Sequence, residues 1–330
     1  MLVVYLVWGS TYLAIAVVVE TLPALLSASV RFATAGLLML GFLLVRSGPS
    51  AIRVTGRQLG ASAVVGALLL VGGNGLVSTA ERSVPSALAA LVIASVPLWV
   101  VVLRVIARER VANGVLVGVA VGFAGVAALV LSNGLDGNVI VLGMLLLVAA
   151  SASWATGSFL SRRLPLPPNP LVSTAVQMVC GGLLLAVVGV ATGELASADP
   201  SRFTFDSILA LGYLVVFGSI VAYTAYTWLL QHAPLSTVAT YAYVNPIVAV
   251  FLGWAFHNEP ITVSILVGAS IVLLAVAFIV RADSPAVPRL AVEGAWAPIE
   301  PSPAPEPAPV PAPRPSTAPT LAETRGISDR

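Results

Sequence analysis

Lysine is absent from this chain: all sixteen basic residues among its 330 are arginine. That excludes a Walker A phosphate loop, a pyridoxal Schiff base and a lysine nucleophile. Cysteine occurs once, at Cys180, and histidine twice, at His232 and His257. One thiol cannot close a disulfide within the chain, and these three side chains cannot build a structural zinc site unaided. No metal or cofactor is therefore expected, and Cys180, inside an apolar run, reads as a small hydrophobe. Charged residues make up only 9%, against roughly 25% in a typical soluble domain. The net charge of +2 is small and scattered, which gives no footprint for a nucleic-acid partner.

What the chain has is apolar length. Hydrophobic residues reach 58% and the mean hydropathy is +1.00, values of an all-α integral membrane protein. A helix needs about 20 mainly apolar residues to span the bilayer. Ten such spans are expected, at 1–19, 25–45, 59–79, 85–104, 112–132, 139–160, 170–192, 207–230, 236–256 and 262–281. The first span has no basic region ahead of it and no small-residue cleavage site before Glu20. That argues against a cleaved signal peptide and raises the expectation of a start upstream of Met1.

Arginine then orients the spans. With the N-terminus cytoplasmic, the inner loops hold Arg46, Arg53, Arg57, Arg104, Arg108, Arg110, Arg162 and Arg163, with Arg281 at the last exit. The outer loops hold only Arg82 and Arg202 among several carboxylates, so both termini are expected to be cytoplasmic. From 282 to 330 the composition turns to EPSPAPEPAPVPAPRPSTAP, where proline removes backbone donors and large apolar side chains are few. A disordered, partly polyproline II cytoplasmic tail is expected, either plainly solvated or docking a partner protein.

A repeat lies within the apolar part. ERSVPSALAALVIASVPLWVVVLRVIARE ends at Glu109, and QHAPLSTVATYAYVNPIVAVFLGWAFHNE ends at Glu259. Pro85 and Pro97 are twelve apart, as are Pro234 and Pro246, and Trp8 is answered by Trp154. Two five-span halves, 1–133 and 138–281, are expected. Because five is odd, they would be related by an inverted pseudo-two-fold, a recurring plan of secondary transporters.

WGSTYLAI, LPALLSASVRFATAGLLML, NGLVSTAERSVPSALAALVIASVPLW and YAYVNPIVAVFLGWAFHNEPIT together resemble the EamA-type drug/metabolite transporter superfamily, particularly its drug/metabolite exporter branch. The resemblance spans roughly residues 1–281. It implies ten helices, a central cavity between the halves and export of small metabolites across the inner membrane.

Polar and aromatic side chains inside spans are the cargo candidates. Trp8, Thr11 and Tyr12 share one helical face, as do Tyr223, Tyr226 and Thr227, and Tyr241 with Asn245. Asn74 sits in GGNGL, where glycines permit local unwinding. Trp99, Trp154, Ser158 and Gln177 complete the set, with Pro97 and Pro246 as expected helix kinks. The alternatives are an interfacial aromatic belt for the tryptophans and helix-to-helix bonding for Asn74 and Gln177. Gly114, Gly118 and Gly122 read as a packing seam, within the chain or between two copies of it.

No carboxylate lies deep in a span, so coupling through Glu81 competes with uncoupled facilitation or exchange. The two histidines fall at span ends on opposite membrane faces, and neither a phosphate loop nor clustered carboxylates occur, so an enzyme is not expected. A non-transporting scaffold acting through the tail remains as the other class. Aromatic lining and few charges favour amphipathic cargo, such as an amino acid or a drug, over a polyanion. Arg31 sits about six residues, roughly 9 Å, below the outer end of its span. It is expected to snorkel or to pair with Glu20 or Glu81 there, or else to serve as an outer gate.

Overall fold

Hydrocarbon offers no partner to a backbone N–H or C=O, so apolar runs satisfy their own groups as helices. The computed structural model describes residues 1–134, 138–238 and 240–283, and every regular element among them is helical. Beyond Asp283 the expected tail lies outside the described residues. Helices α1 (Leu2–Val19), α2 (Ala24–Ser47) and α3 (Gly56–Ala80) are followed by α4 (Ser86–Ile93) and α5 (Val96–Ile106), which together make one crossing. Then come α6 (Asn113–Gly134), α7 (Asn138–Ser161), α8 (Pro170–Ala191), α9 (Phe205–His232), α10 (Leu235–Val238), α11 (Tyr241–His257) and α12 (Val263–Asp283). Among the described residues seven helical segments are long and apolar enough to cross a membrane, and three shorter apolar stretches lie in α6, α11 and α12.

Local chemistry sets the ends. Thr55 and Gln58 form a reciprocal capping box that starts α3 three residues before the expected 59. Thr204 accepts from Ser207 N–H and starts α9 at Phe205 instead of 207. Pro97 falls in the first turn of α5, just after the break at Ala94 and Ser95 that separates it from α4. Pro246, by contrast, lies inside the continuous helix α11.

Two helices begin after a proline with no local cap, and each takes its acceptor from a distant carboxylate. Glu194 accepts from the N–H groups of Leu25 (2.9 Å) and Leu26 (3.0 Å) at the start of α2. Glu259 accepts from Ser86 N–H (2.8 Å) and Ala87 N–H (2.9 Å) at the start of α4, and also from the Ser86 hydroxyl (2.7 Å). Both carboxylates meet the positive end of a helix where water is scarce.

Extensive helix contacts run between α2 and α8 and between α6 and α12. Glycine makes the first pair possible: a Cβ on Gly182 would stand 2.6 Å from Ala33 N, and one on Gly36 would stand 2.9 Å from Ala175 O. In the second pair Gly122 and Gly125 face Leu98, Ala275 and Ile271 closely, whereas Gly114 meets only Phe278 at 3.7 Å. The seam is therefore internal at its Gly122 end. Gly182→Ala is expected to lower stability by about 1–3 kcal/mol, because backbone of α2 must move. Gly60→Ala, with open space around it, is the neutral control; thermal unfolding in detergent compares the two.

The same local features occur twice along the chain. A π-helical stretch interrupts α3 at Ala67–Gly75 and α9 at Leu214–Tyr223. Glycines with positive φ follow α2 and α8, at Gly48 and Gly193. The two non-glycine residues with positive φ among the described residues are Arg108 (58°) and Asn258 (53°), each immediately before the glutamate that ends its half of the sequence repeat.

Candidate functional site

The two π-helical stretches meet at Arg31, which lines a cavity. An extra residue in a helical turn re-aims the side chains and carbonyls around it, and such bulges concentrate at functional sites. Asn74 and Gly73 come from the first stretch; Gly218 and Ser219 come from the second. Between them stands Arg31 of α2, 4% exposed, donating through Nε to Ser219 Oγ (2.8 Å) and through Nη1 to Asn74 Oδ1 (3.4 Å). Its guanidinium lies 4.5 Å from the centroid of the Phe32 ring. A Cβ on Gly218 would come within 2.8 Å of Arg31 Nη2, so a glycine is required for the cation to lie there.

An aromatic cluster closes on the cavity from the other side. Trp8 meets Trp154 edge-on at 5.3 Å and Tyr241 at 5.5 Å, and Tyr226 lies 4.7 Å from Trp8. Both indoles of the cluster find an acceptor: Trp8 Nε1 donates to Gly218 O (3.2 Å), and Trp154 Nε1 donates to Tyr226 Oη (3.0 Å). Gly73 leaves room for Trp154, since a Cβ there would stand 2.6 Å from its ring. Asn245, with its amide nitrogen facing carbonyls, donates to Tyr5 O (2.9 Å) and Tyr241 O (3.3 Å) and so ties α11 to α1.

The cavity holds about 60 Å³ and is lined by Trp8, Thr11, Tyr12 and Ile15 of α1, Arg31 of α2, Gly73, Asn74 and Val77 of α3, Ile93 of α4, Ala150 and Trp154 of α7, and Tyr241 and Asn245 of α11. That volume admits a few waters, well short of the roughly 300 Å³ of a small-molecule pocket.

Of the residues singled out in the sequence, Trp8, Tyr12, Asn74, Trp154, Tyr241, Asn245 and Arg31 thus meet at one cavity. Ser158, Tyr226, Tyr223 and Gln177 stand behind it: Ser158 Oγ bonds Tyr226 Oη (2.5 Å), and Tyr223 donates to Gln177 Oε1 (2.9 Å). Trp99 is elsewhere, edge-on to Phe123 at 4.9 Å. Glu20 does not meet Arg31; it accepts from His257 Nε2 at 2.8 Å. Glu81, one residue past the end of α3, is buried and receives no hydrogen bond. Burial and the nearby Glu259 push its carboxyl well above the ordinary range, and Arg31 pulls it back. Arg31 itself forms no ion pair with a carboxylate among the described residues; its partners are neutral oxygens. Ser219 and Gly218 went unnoticed in the sequence because GSI lacks the glycine run that marks GGNG.

The family model of the EamA-like transporter family matches the chain twice, over residues 1–131 and 141–281. The chain belongs to the EamA-like transporter family. Among its relatives, the uncharacterized inner membrane transporter YedA of Escherichia coli K12 is 39% identical over 259 residues, covering 78% of this chain and 82% of that protein. An uncharacterized transporter of Archaeoglobus fulgidus is 25% identical over 83% of this chain and 95% of its own length. A solved crystal structure at 20% identity superposes with a TM-score of 0.61, covering 84% of this chain and 94% of that one, and so shares the fold. This EamA-family chain is a multi-pass membrane protein, and the family and relatives agree on membrane transport.

Proposed function

We propose that this EamA-family protein is a secondary transporter that exports small amphipathic metabolites, amino acids or drugs across the bacterial inner membrane by alternating access. One observation carries the reading: an aromatic cluster and a buried arginine that bonds both π-helical interruptions converge on one small cavity. An uncompensated cation in a membrane span is expensive, and it is kept where it meets cargo or controls its path. The matched interruptions, the paired positive-φ residues and the double family match support two inverted five-helix halves, ten spans in all. The arginine-rich loops support cytoplasmic termini. Aromatic faces beside Arg31, Asn74 and Thr11 suit cargo with an apolar body and a polar end.

An uncoupled facilitator is the second reading, favoured by the placement of Glu81 at a span end instead of mid-span. The test is a comparison of culture media from cells overproducing the wild type and Trp154→Ala at matched abundance. At least one amphipathic solute is expected to accumulate several-fold with the wild type and to return to background with the variant. Identical media would remove the transport reading at this cavity.

A further inference from the structure

Glu259 and Glu109 occupy the same place in the two halves, yet they are differently engaged. Each follows a residue of positive φ, Asn258 or Arg108, and each N–H folds back onto the helix before it, to Gly253 O or Arg104 O. Glu259 is buried and caps the start of α4 at Ser86 and Ala87, clamping the end of α11 to the first half of the chain. The repeat pairs Pro85 with Pro234, and therefore Ser86 and Ala87 with Leu235 and Ser236. Those would be the N–H groups for Glu109 to cap, at the start of α10. Instead Glu109 is held by Arg104 Nε (2.9 Å) and Arg163 Nη2 (2.5 Å), with its side chain 37% exposed. The local reason is visible: Gly253 leaves Glu259 room to fold under α11, a Cβ there standing 2.6 Å from Glu259 Oε2, whereas the matching Arg104 presents a guanidinium.

We propose that the two glutamates are exchangeable latches: Glu259 on the start of α4 closes the Glu20 end of the bundle, and Glu109 on the start of α10 closes the opposite end when Glu259 lets go. The structure holds the first latch shut and the second parked on its two arginines. Parking gives the guanidiniums a function beyond a surface ion pair, since they compete with the α10 N–H groups for the same carboxylate. The inference rests on the alternating-access reading.

The experiment uses the full chain with Cys180→Ser and Thr11→Cys, the new thiol lining the cavity, in membrane vesicles of both orientations. A membrane-impermeant maleimide is applied from each side, and the ratio of labelling from the Glu20 end to labelling from the Glu109 end is read. Glu259→Ala is expected to raise that ratio about fivefold or more, and Glu109→Ala to lower it by a similar factor. Arg163→Ala frees Glu109 for its latch and is expected to raise the ratio, as Glu259→Ala does. A plain ion pair predicts the contrary, that Arg163→Ala and Glu109→Ala act alike; that result, or ratios unmoved by all three, overturns the latches. Failure of the parent thiol to label from both ends would instead strike the alternating-access reading.

Discussion

Arg31→Ala is expected to reduce transport at least about tenfold while leaving the protein inserted and folded. The guanidinium joins the two π-helical stretches through Ser219 and Asn74, and it is the full charge lining the cavity. Removing it relieves a costly buried cation, so abundance is not expected to collapse. It also removes the planar fork that aims at both stretches together. Arg31→Lys is expected to recover little, because a single ammonium cannot donate to Ser219 and Asn74 in the fork geometry. Flux per inserted molecule, measured with whatever solute the culture medium comparison yields, checks both variants. Wild-type flux from Arg31→Ala would take the arginine out of the transport path, and lost abundance with normal flux per molecule would make it structural.

The second large effect is on stability. Glu194 is 9% exposed and accepts from Leu25 and Leu26 at the start of α2, which follows Pro23 without a cap of its own. Glu194→Ala leaves two N–H groups with neither protein nor ready water and is expected to cost about 2–3 kcal/mol. For a chain of this size that lowers the melting temperature by roughly 3–5 °C. Glu194→Gln keeps an acceptor oxygen and is expected to lose about half as much. An unchanged melting curve for Glu194→Ala in detergent would show that the cap contributes nothing.

Much of the architecture was legible because a span is a length rule: twenty apolar residues and a break locate a helix whatever it packs against. Helical spacing grouped Trp8 with Tyr12 and Tyr241 with Asn245, and all four line the one cavity. Spacing fails where the helix departs from 3.6 residues per turn. The π-helical stretch around Gly218 re-aims Ser219 at Arg31, and nothing in GSIVAY marks it. Charge reasoning alone pointed Arg31 toward Glu20 or Glu81, but Glu20 bonds His257, Glu81 makes no ion pair with the guanidinium among the described residues, and neutral oxygens of two other helices hold it. The remote caps were hidden for a related reason: Glu194 and Glu259 act on helices more than 160 residues away in sequence. At the opposite end Glu109 shows its bond to Arg104 plainly in the sequence, five residues apart. That bond, with Arg163, holds its carboxyl below the ordinary range.

The central claim is that the small cavity beside Arg31 opens to each side of the membrane in turn. Labelling of Thr11→Cys in the Cys180→Ser chain tests it whatever the cargo is. At about 60 Å³ the cavity excludes a maleimide, so modification reports opening. The account predicts modification from both faces of the membrane, with Ser50→Cys and Ser201→Cys, exposed in the segments after α2 and before α9, as controls unaffected by closure of the cavity. Modification of Thr11→Cys from one face only, or from neither, would contradict it.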